Sequence, residues 1–111
     1  MSESARAKGN VAESAAANFL TENGFEIVHR NYCCKGGEID IIAKKDEVVH
    51  FVEVKSGKNF EPSYAVTPKK LERITHCIEI YLQRFDCNFA WCISAVFSRD
   101  GKLELVENVT A

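Results

Sequence analysis

The strongest constraint on this chain is a pair of adjoining β-like stretches. Gly36-Gly37-Glu38-Ile39-Asp40-Ile41-Ile42-Ala43 is followed by a short charged turn and then by Val48-Val49-His50-Phe51-Val52-Glu53-Val54-Lys55. Both arms are rich in β-branched residues and alternate in polarity, so both are expected to be strands of one hairpin. The turn Lys44-Lys45-Asp46-Glu47 is all charge and belongs in water. Side chains alternate faces along a strand, so Glu38 and Asp40 share one face of the first arm, and Glu53 and Lys55 share one face of the second. Antiparallel partners have residue numbers of constant sum. A four-residue loop over 44–47 pairs Ala43 with Val48, an odd sum, and sets Asp40 on the same side as Glu53. A one-residue slip would turn a whole strand over and put Asp40 beside Val52 and Val54. The odd register is the consistent one, and it gathers carboxylates and the Lys55 ammonium into one patch.

Such a patch is costly. Neighbouring carboxylates raise one another's pKa. Lys55 neutralises one of them, and a hard divalent cation, which prefers carboxylate, carbonyl and water oxygens, would neutralise the rest. The plainer alternative is an exposed strand face carrying a cross-strand Lys–Glu pair.

At 111 residues the chain is expected to form a single domain over 1–111 with a modest core. No apolar run is long enough for a bilayer and no signal peptide is evident, so a cytoplasmic location is expected. The five cysteines are odd in number and include no C-x-x-C pair, which argues against zinc and for small buried or half-buried thiols in a reducing compartment. A net charge of −2 excludes a generally basic nucleic-acid binder. Nucleic acid would need a local basic cluster and a metal to offset the acidic patch.

The remaining elements follow in order. From Ser4 to Asn23 the chain has helical spacing, with Val11, Ala12, Ala15, Ala16, Phe19 and Leu20 on one face and Glu13 at its edge. A carboxylate there could reach across the sheet. Asn23-Gly24 caps the helix, and 25–33 is a strand. After Lys55, the polar segment 56–64 leaves directly from the charged patch and is placed to cover a substrate. Thr67-Pro68 opens a second helix as N-cap and first helical residue, with Leu71, Ile74, Cys77, Ile78, Tyr81 and Leu82 as its apolar stripe. Lys69, Lys70 and Arg73 put positive charge at the positive end of that helix, an arrangement suited to an anion such as phosphate. The apolar stretch 89–97 is a central or doubly covered strand. Arg99-Asp100-Gly101-Lys102 is a hairpin turn, and 103–106 is a last edge strand. His29 and His50 have no partner at ligand spacing and receive no role. The order is α-β-β-β-α-β-β, a mixed sheet with helices against it, and the first helix is expected on the face bearing Asp40 and Glu53.

Asp40, then Glu53-Val54-Lys55 on the next strand, with a glutamate on the preceding helix, resembles the PD-(D/E)xK nuclease core. More closely, Gly37-Glu38-Ile39-Asp40-Ile41-Ile42-Ala43, Phe51-Val52-Glu53-Val54-Lys55 and Ala65-Val66-Thr67-Pro68-Lys69 resemble the YraN-like family of small bacterial predicted endonucleases. The likeness runs from about Gly9 to Leu82. Two departures stand out. Ser56-Gly57 follows the E-x-K lysine where the family usually has Thr-Arg, and Ala90-Trp91-Cys92 lies where it usually has Arg-Phe-Asp.

The resemblance implies a restriction-endonuclease-like α/β fold, a mixed sheet of about five strands flanked by helices. It also implies a metal-dependent endonuclease with a core like that of Holliday-junction resolvases. On that reading Asp40 and Glu53, with the Val54 carbonyl and Glu13, hold Mg²⁺ or Mn²⁺. Glu13, Asp40, Glu53 and Lys55 form the catalytic set, with Lys55 acting on the attacking water, and Glu38 is a secondary ligand. Lys58, Lys69, Lys70 and Arg73 contact the backbone of nucleic acid, expected to be DNA, although the sequence does not discriminate DNA from RNA. Such contacts position a substrate without reading sequence, so structure-selective cutting is expected. A membrane is not a partner, and a homodimer is compatible with the chain. The rival readings are a noncatalytic nucleic-acid-binding module and a protein-interaction domain that uses the apolar 89–97 strand.

Overall fold

The computed structural model describes residues 3–56, 67–85 and 89–109, with only the backbone described for 3–10. Helix α1 spans Glu3–Glu22 and α2 spans Pro68–Phe85. The strands are β1 (Glu26–Cys34), β2 (Gly37–Lys45), β3 (Val48–Ser56), β4 (Ala90–Arg99) and β5 (Lys102–Val106). The order α-β-β-β-α-β-β and the five-stranded mixed sheet are those expected of a restriction-endonuclease-like chain. In space the strands run β1-β2-β3-β4-β5, with every neighbouring pair antiparallel except β3 and β4. A parallel pair needs a long crossover, and α2 lies within this one.

The helix ends follow from local chemistry. Gly24 at φ 90° closes α1: its amide bonds to the Thr21 carbonyl at 3.1 Å and that of Phe25 to Leu20 at 3.0 Å. Thr67 caps α2, its Oγ1 accepting the Lys70 amide at 3.2 Å.

The two sheet faces carry separate cores. α1 packs Ala16, Ala17 and Leu20 against Phe25, Ile41, Ala43, Val52 and Val96. α2 packs Ile74, Cys77, Ile78 and Tyr81 against Ile39, Ile42, Val49, Phe51 and Ile93. The α2 stripe is the expected one. The α1 stripe is rotated from it: Val11 is 69% exposed, and Ala17 is buried instead. Small side chains at Ala16 and Ala17 let α1 lie close to the sheet.

The hairpin register has the expected odd parity but a different turn. Lys45 pairs with Val48 and Ile41 with Val52, so the loop is Asp46-Glu47 alone. Both residues are left-handed, at φ 51° and 64°, the conformation of a tight two-residue hairpin turn. Two corrections follow for the acidic patch. Glu53 faces α2, through which it is ion-paired, whereas α1 covers the opposite face, with Val52. The expectation that α1 packs on the face bearing Glu53 is therefore reversed. Alternation in β2 also breaks at Asp40. Ile39 and Ile42 both enter the α2 core while Ile41 enters the α1 core. Across from this break, β1–β2 pairing passes from Arg30–Ile41 to Tyr32–Ile39 over Asn31, at φ 55°. Strict alternation alone therefore does not place Glu38 with Asp40.

The thiol expectation also needs correcting. Cys34 and Cys77, 43 residues apart, form a disulfide between the end of β1 and α2. Cys33 and Cys92 are free. Spacing in sequence gave no sign of the pair, because α2 is brought onto β1 only by the folded core.

Glu47→Gly should stabilise the protein by about 1 kcal/mol, since a left-handed non-glycine residue costs about that much or more. A shift of the urea midpoint to higher concentration at constant slope is the expected result.

Candidate functional site

At the break in β2 the strand presents Asp40 to both helices. Its Oδ2 accepts the Val54 amide of β3 at 2.9 Å, a cross-strand bond made by a side chain rather than by the backbone. The bond fixes the carboxylate and joins Asp40 to the E-x-K segment. The expected contribution from Val54 was its carbonyl; the contact the structure shows is made by its amide.

Glu13, Glu38 and Asp40 each bring a carboxylate oxygen within 4.8 Å of the others. Glu13 thus does reach across from α1, and Glu38 joins it from β2 as a close member of the cluster. The side chain of Asn31, at the left-handed kink, hydrogen-bonds the Glu13 carboxylate. Arg30 is anchored to α1 through Ser14 at 3.1 Å, which holds this end of β1 to the helix. Glu13 Oε1 is buried and has no hydrogen-bond partner among the described residues.

Glu53 lies on the α2 side and is 5% exposed. Two ammonium groups share it: Lys70 Nζ at 2.5 Å from Oε1 and Lys55 Nζ at 3.7 Å. Lys70 was expected to face phosphate; in the structure it faces Glu53. Lys69 and Arg73, from the same turns of α2, are exposed and line the cleft. This cleft, of about 440 Å³, is also lined by Gly37, Glu38, Asp40, Glu53 and Thr67. Lys58 and the rest of the expected substrate-covering segment from 57 to 64 lie outside the described residues.

The electrostatics show the cost of this gathering. Burial, and then the charge of Asp40, raise the pKa values of Glu13, Glu38 and Glu53. Burial raises that of Asp40 too, against the opposing Val54 amide and the Lys70 and Lys55 charges. Burial and then Lys70 lower Lys55. Burial is the largest single influence on Lys70 and works against its charge, but the hydrogen bonds to Glu53 and Lys55 and the charges of Glu53 and Asp40 together outweigh it and leave its pKa raised. Unpartnered and mutually repelling oxygens of this kind suit a hard divalent cation. Glu13, Glu38 and Asp40 are the residues already close enough to share one, and Glu53 is adjacent but held by lysine.

Sequence reasoning missed two features here. Asn31 was not recognised, although an asparagine in a strand otherwise rich in β-formers is a signal for a left-handed residue. The Lys70–Glu53 pair was missed as well. Lys70 occupies the third helical position after a threonine cap, where glutamate or glutamine would complete a capping box. A lysine there seeks an anion outside the helix, and the nearest proved to be a side chain of β3.

The family model described as uncharacterised protein family UPF0102 matches residues 12–89. The chain belongs to that family. This bears out the YraN-like resemblance. The matched span contains Glu13, Glu38, Asp40, Glu53, Lys55 and Lys70 together. Among relatives, a UPF0102 protein of Helicobacter pylori (strain HPAG1) is 53% identical over 105 residues, covering 95% of this chain and 92% of its own. The UPF0102 protein of Helicobacter hepaticus is 50% identical, over 95% of this chain and 96% of its own. That of Wolinella succinogenes is 49% identical, over 95% and 97%. Membership in UPF0102 carries no stated activity, so function is argued from the site. No helix among the described residues is long and apolar enough to cross a membrane.

The raised carboxylates make a signed prediction. A carboxylate whose folded pKa exceeds its unfolded value costs stability above the folded pKa, and the cost disappears as pH falls toward the unfolded one. Without metal, Asp40→Asn should therefore melt at or above the temperature of the parent at neutral pH, and the difference should close as the pH is lowered toward 3.8, the ordinary aspartate value. Parent and variant melting curves across that range check it. A variant clearly less stable at neutral pH would make Asp40 an ion-pair partner of the lysines and nothing more.

Proposed function

We propose that the chain is a metal-dependent nuclease that hydrolyses phosphodiester bonds, with structured DNA as substrate. The observation that carries this reading is the Glu13–Glu38–Asp40 carboxylate cluster with its unpartnered Glu13 oxygen, beside a lysine and a cleft edged by helix-borne cations. Metal sites in proteins of this chemistry need carboxylates that stay charged together, and phosphoryl transfer needs positive charge around the leaving and attacking oxygens.

In this reading Glu13, Glu38 and Asp40 would hold Mg²⁺ or Mn²⁺, with Glu53 as a further, adjacent ligand and the Val54 backbone beside them. When bound, the cation supplies charge to the phosphoryl oxygens and acidifies water. The Val54 amide holds Asp40 in place through the bond already formed. Lys55 is half-buried and held below the ordinary lysine range, first by burial and then by Lys70. A lysine shifted in that direction is a better proton acceptor near neutral pH and can take a proton from the attacking water. Lys69 and Arg73 stand exposed on the first turns of α2, where backbone N–H groups and cationic side chains together suit phosphate. These groups touch backbone rather than bases, which favours selection by nucleic-acid shape.

The test is cleavage of branched, duplex and single-stranded DNA, and of RNA, with Mg²⁺ or Mn²⁺. Asp40→Asn should abolish cutting, and Lys55→Ala should lower its rate by about 10²–10⁴-fold, the usual contribution of a proton-transfer group. Lys69→Ala and Arg73→Ala should each flatten the salt dependence of DNA binding by about one unit of slope. Salt-dependent binding with no cleavage under any metal would make the chain a noncatalytic nucleic-acid-binding module.

A further inference from the structure

Charge is unevenly shared across the site. Glu53, a single buried carboxylate, has two ammonium groups against it, Lys70 and Lys55. Glu13, Glu38 and Asp40 form the adjacent cluster, and one oxygen of Glu13 has no partner among the described residues. The two lysines are like charges competing for one acceptor, while the neighbouring carboxylates repel one another.

Lys70 is also the more exposed member of its pair with Glu53. Its backbone is held by the Thr67 cap, its side chain is a flexible four-carbon stem, and its side chain is 30% exposed on the wall of the cleft. Glu53 is fixed in the paired part of β3, opposite Ala95 of β4. A divalent cation held by Asp40 and its neighbours that also drew on Glu53 would repel an ammonium already seated there, so the two would compete for that carboxylate.

We propose that Lys70 is the resident counter-ion of this site: it occupies Glu53 in the metal-free protein, competes with the divalent cation for that carboxylate, and is released into the cleft when the cation binds. The proposal rests on the metal-site reading above. It makes Lys70 a positioning residue that couples cation binding to the appearance of a free ammonium beside the exposed Lys69 and Arg73, where a phosphate would lie.

The experiment uses the full chain and Mn²⁺ alone, read by calorimetry and by melting. Lys70→Met keeps the stem and removes the ammonium. It should melt below the parent without metal and bind Mn²⁺ about tenfold or more tighter, the size of a direct pairwise coupling. Lys70→Arg, with a fork that pairs carboxylates more firmly, should bind Mn²⁺ more weakly than the parent. In a Glu53→Gln background the Lys70→Met change should leave Mn²⁺ affinity unmoved, because the shared target is gone. A direct readout is the acetylation rate of the Lys70 amine followed by mass spectrometry, which should be slow without metal and rise on adding Mn²⁺.

The failures separate. If Asp40→Asn removes Mn²⁺ binding while Lys70→Met and Lys70→Arg leave affinity unchanged and Lys70 of the parent is acetylated at the same rate with and without Mn²⁺, the metal site stands and the counter-ion proposal falls. If neither the parent nor Lys70→Met binds Mn²⁺, both fall.

Discussion

The bond from the Val54 amide to Asp40 is the interaction around which the site is organised. It stands where β2 loses its alternation and where β1 takes a left-handed residue, so a side chain, not the ladder, joins β2 to β3 at that point. Removing its acceptor would leave a half-buried amide unsatisfied. Because Asp40 is tied to the E-x-K strand, it is held close to Glu53. Because the strand turns there, it is also open to Glu13 on the other helix. A flat, regular hairpin would have offered the same residues to one helix only.

Burial then sets the electrostatics. Both cores reach the rim of the acidic patch. Val52 and Ile41 lie under α1, and Phe51 and Ile39 under α2. Glu13, Asp40 and Glu53 are consequently held partly out of water, and the exposed Glu38 stands among them. Among the described residues, Lys70 and Lys55 offset this at Glu53 through direct ion pairs, while Glu13 is opposed by the Asn31 hydrogen bond and the Arg30 charge. The positive charges at the start of α2, unfavourable to the helix itself by about 0.3–1 kcal/mol each, are thus divided in use. Lys70 turns inward to a carboxylate, and Lys69 and Arg73 remain outward on the cleft.

The position of α2 makes this division possible. Tyr81 packs edge-on against Tyr32 and Phe51, with ring centroids 5.2 and 5.6 Å apart, and Phe85 adds a further ring at 4.7 Å. Cys77 joins Cys34, and a side chain at Gly37 would lie 3.1 Å from the Cys77 sulfur. The glycine before Glu38 therefore lets β2 pass close under the helix. These contacts fix the axis of α2 from its middle and far end, leaving the first turn to project over Glu53.

By itself the sequence determined the elements and their order. Period-two runs, the Asn23-Gly24 and Thr67-Pro68 caps and the Asp100-Gly101 turn each encode structure within a few residues, where propensity and local hydrogen bonds decide. It also determined that Asp40 and Glu53 belong together, since parity survives a change of loop length by two. Only the tertiary structure decided which helix covers Glu53, where Lys70 points, and that Cys34 meets Cys77. Those depend on the packing of one layer on another, which no spacing along the chain specifies. The break at Asp40 lies between the two cases. Asn31 marks it in the sequence, but its consequence, a carboxylate shared between both faces of the sheet, exists only once both helices are in place.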